Sequence, residues 1–212
     1  MKKLFAGIVS NILMMLLPLV FNYRLMLHYK IIVIVLAGLC IWLTQPMATV
    51  KDTKDKQSSD QFTVLLIFIM SFISVSVPIT IWAYFKDNQD DFGVMSIVGI
   101  IVIVTGLILR AWSVKTLGKY FTPTIQIQRN HELIMTGPYA FLRHPSYTGA
   151  FMVISGCAIW LQTWEGFLIA CIAMSIAYKR RISLEEAALG EHFGLKYRLY
   201  KDKTSMLIPF IW

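Results

Sequence analysis

Of the 212 residues, 57% are apolar and only 15% are charged, and the formal net charge is +8. A soluble domain usually carries about 25% charged residues, so this composition excludes an ordinary soluble fold for much of the chain. No basic stripe with interleaved aromatics stands outside the apolar runs, which excludes nucleic acid as a partner. The length suits one domain, or two small ones.

Residues 4–23, 31–50, 62–85 and 92–109 contain no Asp, Glu, Lys or Arg. Each is close to the ~20 residues a helix needs to cross a bilayer core. A backbone in lipid must satisfy its own hydrogen bonds, so each run predicts a helix. Lys2 and Lys3 precede the first run as they would in a signal peptide. No small-x-small cleavage site follows cleanly, and "NYRLMLHYK" leads at once into the next run, so a retained helix is expected. The joining loops, "KDTKDKQSSDQ" and "KDNQDD", contain nothing resembling a site. Residues 1–109 therefore read as N-terminal transmembrane helices, and 110–212 as the region that holds the dense polar clusters.

The basic residues set the topology. Of 20 Lys and Arg, five fall in 110–147 and seven in 179–203. Four preceding spans put 110–147 on the same side as the N-terminus and as Lys51, Lys54 and Lys56, whereas the opposite loops carry only Arg24, Lys30 and Lys86. The positive-inside rule makes the richer side cytoplasmic. Most of these cations suit contact with anionic membrane lipids.

Beyond the fourth run, "TPTIQIQRN" alternates and suits an extended segment, and "TGPY" breaks any helix begun there. Pro145 disfavours helical geometry at His144 and is well placed to begin the next helix. Residues 145–178 form a fifth apolar region interrupted only by Glu165. Two passes would leave each of them short, so a tight helical hairpin turning around Gln162–Gly166 is predicted. After it, Leu189, Phe193 and Tyr197 repeat every fourth residue with Tyr200 three further on, one apolar-aromatic helix face. Gly190 and Gly194 weaken that helix, and Gly194 is the expected point of division. Cys40, Cys157 and Cys171 sit in apolar runs without a CxxC pair and read as small hydrophobic residues. His28, His131, His144 and His192 lack metal-ligand spacing, so no metal is expected. The expected fold is an all-α integral membrane protein with about five to six transmembrane helices, including the hairpin. Its cytosolic cofactor pocket would be built from loops and a C-terminal helix.

A hairpin returns its ends to one membrane face. That topology brings Arg143, His144 and Tyr147 toward Arg181, Glu185, Glu186, Tyr197 and Tyr200. Singly, each residue reads as an interfacial anchor or an ordinary helix pair. Adjacent carboxylates near a bilayer need a partner, which Arg181 or a cationic ligand would supply.

The stretch "NHELIMTGPYAFLRHPSYTG", followed by "RISLEEAALGEHFGLKYRLYKDKTSMLIP", resembles the isoprenylcysteine carboxyl methyltransferase family and the related phospholipid N-methyltransferases. The resemblance covers residues 120–210 or thereabouts. It implies an integral membrane enzyme that binds S-adenosyl-L-methionine at the cytosolic face. By that resemblance the segment with His131, Leu133, Ile134, Gly137 and Tyr139, and then His144, Pro145 and Tyr147, wraps the cofactor. Glu185 and Glu186 complete its pocket, and Arg181 lies beside the substrate carboxylate. Arg143 is the second catalytic candidate, and Tyr197 and Tyr200 are the candidate substrate contacts.

The chemistry of the residues agrees with the resemblance. Arg143 or His144 suits the cofactor carboxylate, the glutamates suit its ammonium or hydroxyls, and "TGPY" allows close backbone approach to the adenine. A carboxylate acceptor is already ionised at neutral pH and needs no base. A lipidated substrate fits a site at the mouth of a membrane bundle. A phospholipid amine would need a base and would find Arg181 an awkward neighbour. Sterol-type reductases using NADPH normally lack the proline-x-tyrosine pattern. A non-enzymatic scaffold or transporter subunit is a further alternative, but a transporter would gather its polar groups near the midplane, whereas here they gather at one face.

Overall fold

The computed structural model describes residues 9, 12, 14–45, 58–125 and 131–207. Among them the chain is helical apart from turns, short connections and one isolated parallel bridge, Leu142 to Ser205. The principal helices are α1 (Tyr29–Leu43), α2 (Ser58–Phe85), α3 (Val94–Leu117), α4 (Pro145–Trp160), α5 (Trp164–Phe193) and α6 (Leu195–Lys201).

Two segments, Phe62–Phe85 and Val94–Tyr120, are long and apolar enough to cross a bilayer. The pair Met14–Leu27 and Tyr29–Leu43 qualifies only jointly and is bent by 119°. Among the described residues, then, two or three spans qualify by length and composition, where about five to six were expected of the whole chain. Of the first expected span, 4–23, residues 4–8, 10, 11 and 13 lie outside the described residues. From Leu17 to Leu27 the chain is 3-10 helix with a kink at Asn22. That segment packs on the end of α2, where Asn22 donates to the Ala83 carbonyl at 3.3 Å and the Tyr84 hydroxyl donates to that of Pro18 at 3.0 Å. Lys51, Lys54, Lys56 and residues 126–130 of the expected extended segment also lie outside the described residues.

The helical hairpin is present. α4 starts at Pro145, where proline costs no intrahelical bond, and the chain reverses over Leu161–Thr163 with Gln162 at φ 57°. The return arm does not stop at Tyr178. α5 continues as one helix of 30 residues, about 45 Å at 1.5 Å per residue, long enough to leave the bilayer and carry charged residues into water. Nothing in its sequence interrupts it before Gly194, which adopts φ 53° and divides it from α6 as expected.

Close packing of α3 on α4 depends on facing glycines. A Cβ on Gly106 would lie 2.7 Å from the Gly149 carbonyl oxygen, and one on Gly149 would lie 2.8 Å from the Arg110 nitrogen. Small residues of this kind let membrane helices approach backbone to backbone. One buried cluster, including Leu19, Ile34, Ile79, Trp82 and Trp160, fills the half of the bundle near the hairpin turn. A second, around Ala150, Met174, Tyr178, Ile182 and Leu207, lies toward the other end. Its inclusion of Leu207 shows that the chain after α6 returns to the bundle.

Candidate active site

At the end opposite the hairpin turn, the last residues of α3, the segment 120–125, the segment 131–134, the start of α4, the middle of α5 and α6 enclose a partly open cleft. Eleven of the fourteen residues singled out from the sequence line it: His131, Leu133, Ile134, Tyr139, Arg143, His144, Tyr147, Arg181, Glu185, Tyr197 and Tyr200. Gly137, Pro145 and Glu186 are absent from the lining. Gly137 (φ 60°) instead makes the turn before the short 3-10 segment Gly137–Ala140, and Pro145 opens α4.

Glu185 and Glu186 are neighbours on α5 and so point about 100° apart around the helix axis. Glu185 faces the cleft, where Oε2 accepts a hydrogen bond from the Tyr147 hydroxyl at 3.1 Å. Glu186 turns into the protein. Its Oε1 accepts from Arg143 Nε at 2.7 Å and lies 3.4 Å from His144 Nε2, and its Oε2 accepts from Lys201 Nζ at 2.7 Å. Burial pushes the Glu186 carboxyl up, but the hydrogen bonds from His144, Lys201 and Arg143 outweigh it and hold the group well below the ordinary carboxylate range.

Arg181 is buried in the cleft wall. Its Nε approaches the Tyr147 hydroxyl at 3.4 Å, and its terminal nitrogens donate to Thr63 Oγ1 at 3.2 Å and to the Pro123 carbonyl at 3.1 Å. One guanidinium thus ties α2, the 120–125 segment and α5 together. Arg110, which entered the sequence reading only as a positive charge, is 4% exposed and donates to Thr44 Oγ1 at 2.8 Å and to the Ser146 carbonyl at 3.0 Å. It pins the end of α1 to the start of α4 beneath the cleft.

The sequence reading also passed over Tyr120, Phe121 and Thr124, which lie on the cleft wall. Tyr120 stacks on His131 with ring centroids 4.5 Å apart. Burial first, and His192 second, lower the His131 pKa, so its imidazole is neutral at physiological pH.

Five buried side-chain polar atoms have no hydrogen-bond partner among the described residues, and three of them line the cleft: Thr124 Oγ1, His131 Nδ1 and the Tyr197 hydroxyl. A buried polar group without a partner costs roughly 1–3 kcal/mol. Three around one cleft, beside the half-buried Glu185 carboxylate and the cations Arg143 and Arg181, form a surface matched to a polar, zwitterionic ligand.

These features define an all-helical integral membrane protein with a polar cleft at one end of its bundle. Residues 98–191 match the model of the isoprenylcysteine carboxyl methyltransferase family. It is 30% identical over 175 residues to the protein-S-isoprenylcysteine O-methyltransferase of Tribolium castaneum, covering 82% of this chain and 60% of that one. It is 27% identical to the protein of the same name from Saccharomyces cerevisiae, covering 74% and 64%. The solved structure of the eukaryotic intramembrane Ras methyltransferase, isoprenylcysteine carboxyl methyltransferase, superposes with a TM-score of 0.57 at 25% identity, covering 94% of this chain and 73% of the other. The chain spans less than two thirds of the length of these curated relatives.

Proposed function

We propose that this chain is an S-adenosyl-L-methionine-dependent methyltransferase of the membrane surface. Its acceptor would be the carboxylate of a lipidated, isoprenylcysteine-like substrate, met at the cytoplasmic face. Residues 110–212 form the catalytic region in this reading. The observation that carries it is the cleft itself, with its three orphaned polar atoms, one half-buried carboxylate and buried cations. The names printed for the relatives support the reaction class, and the excess of Lys and Arg at the cleft end supports the cytoplasmic orientation.

The residues present fit the cofactor. Glu185 suits an ammonium or ribose hydroxyls, and His131 Nδ1, Thr124 Oγ1 and the Tyr197 hydroxyl would each gain the partner they lack. Leu133, Ile134 and the Tyr120–His131 stack offer apolar and aromatic surface for a base. When bound, the cofactor supplies a methyl group on a sulfonium, which an already ionised carboxylate accepts without a general base. The protein's part is then to orient the acceptor and exclude water. Arg181, fixed on three sides by Tyr147, Thr63 and Pro123, is the group we assign to the acceptor carboxylate. Arg143 and His144 support the cofactor wall.

Titration calorimetry of the detergent-purified protein with S-adenosylhomocysteine, and in parallel with NADPH, tests the reading. Saturable S-adenosylhomocysteine binding, lost in Glu185→Ala, is the expected result. Binding of NADPH instead would sink it in favour of a reductase.

A further inference from the structure

α6 is a short panel in the cleft wall. It begins at Gly194, whose φ of 53° makes it the pivot after α5. It presents Tyr197 and Tyr200 inward, 2% and 6% exposed. Tyr200 donates its hydroxyl to the Tyr139 carbonyl at 2.7 Å, whereas the Tyr197 hydroxyl has no partner among the described residues. The far end of the panel is fastened by Lys201, the last residue of α6, through its 2.7 Å bond to Glu186 Oε2. Arg143 reinforces the fastening. Its Nε holds the other carboxylate oxygen of Glu186, and its Nη1 donates to the carbonyls of Lys201 and Thr204.

Just beyond, Ser205 N donates to the Phe141 carbonyl at 3.1 Å, and Arg143 N donates to the Ser205 carbonyl at 2.9 Å. Apart from the Arg143–Glu186 pair, each of these bonds joins the segment 195–206 to one of the two stretches, 139–144 and 185–186, that carry candidate ligand contacts. Glu186 itself is absent from the cleft lining, and both its oxygens are occupied by the chain's own cations.

We infer that Lys201 and Glu186 are positioning residues: their ion pair latches α6 shut and sets the Tyr197 hydroxyl against the cofactor side of the cleft. Neither group touches the ligand. The latch explains why two adjacent glutamates occur on α5 with different tasks, Glu185 facing the ligand and Glu186 facing the panel. It also gives Lys201, which otherwise reads as one more surface cation with its side chain 43% exposed, a role that a neutral residue of the same length cannot fill.

The inference rests on the cofactor reading proposed above, and its test is arranged so that the two fail separately. Hydrogen exchange of the peptide spanning 195–203 in the ligand-free protein is compared between wild type, Lys201→Met and Lys201→Arg. Faster exchange in Lys201→Met, restored by Lys201→Arg, is the expected result, and it needs no ligand. Unchanged exchange in Lys201→Met overturns the latch whatever the protein binds. The second arm measures the dissociation constant of S-adenosylhomocysteine for the same variants, with the thermal midpoint recorded as a folding control. A weakening of about tenfold in Lys201→Met, relieved in Lys201→Arg, is expected, with the KM for the methyl donor rising more than kcat falls. Equal affinity across the three variants overturns the positioning role. A wild-type protein that does not bind the probe overturns the cofactor reading and leaves the exchange result to judge the latch.

Discussion

The two ends of the bundle use similar residues to opposite effect. At the hairpin end, Lys30 is buried, but its Nζ donates to the Asp91 carbonyl at 2.5 Å. Gln162 spends its amide on the same carbonyl and on Ser96 Oγ, both at 3.0 Å, and the Trp160 indole donates to the Lys30 carbonyl at 3.0 Å. The loops between α2 and α3 and between α4 and α5 are sewn together there by these bonds. At the cleft end Thr124, His131 and Tyr197 keep polar atoms that no neighbour satisfies. At the hairpin end Trp82 Nε1 also lacks a partner among the described residues, but it stands alone in the core, whereas the three unpartnered atoms at the other end surround one cleft.

The sharpest way to break this contrast is at Glu186. Replacing it by alanine leaves Arg143 and Lys201 without their shared anion, and removing one partner of a buried pair costs about 3–5 kcal/mol. Glu186→Ala is expected to lower the unfolding free energy, read from denaturant titration, by up to about that much, to lower the midpoint accordingly, and to loosen α6. An unchanged midpoint would show that the network is ornamental.

Gly106→Ala probes the packing beneath the cleft. The new methyl would press on the Gly149 carbonyl at 2.7 Å, which is backbone and has no rotamer to yield. Thermal denaturation should show a loss of about 1–3 kcal/mol, and parity with wild type would mean that α3 and α4 pack more loosely than described.

At the sealed end, Lys30→Met removes one donor from a carbonyl that still accepts from Gln162. The expected cost is about 1 kcal/mol, with S-adenosylhomocysteine affinity untouched. Impaired binding there would erase the distinction between the ends.

Tyr197→Phe carries the smallest expected change in stability and the most telling sign. Removing an unpartnered hydroxyl should leave the ligand-free protein as stable or slightly more so, while weakening S-adenosylhomocysteine. A clear loss of stability would mean that the hydroxyl has a partner in the free protein.

Acid titration adds a further check on the network. The folded state holds the Glu186 carboxyl below its ordinary range, so in acid the unfolded chain binds more protons than the folded one. The resulting stabilisation is whole above the ordinary glutamate pKa of about 4.3 and shrinks as the pH falls below it. The midpoint of Glu186→Gln should therefore depend less steeply on pH in that range than that of wild type.

Much of the site was legible because its residues are crowded in sequence. "RHPSY" and the paired glutamates lie on either side of a hairpin, and a hairpin must return its ends to one face. What the one-dimensional pattern could not separate was Glu185 from Glu186, since adjacency in sequence is divergence around a helix. Lys201 was hidden for a similar reason, because its partner lies fifteen positions away across the pivot at Gly194. Thr124 and Tyr120 carry no motif, and only the fold brings them beside His131. The spans were legible as apolar length, but the kink at Asn22 and the 119° bend before α1 depend on contacts with the end of α2.

By itself, then, the sequence determined the solvent, the helical class, the hairpin, the break at Gly194 and the face on which chemistry gathers. All of these follow from local composition and from the rule that a backbone in lipid must bond to itself. Tertiary structure alone decided which polar atoms are satisfied and which are left waiting, because satisfaction is a property of neighbours that the chain order does not name.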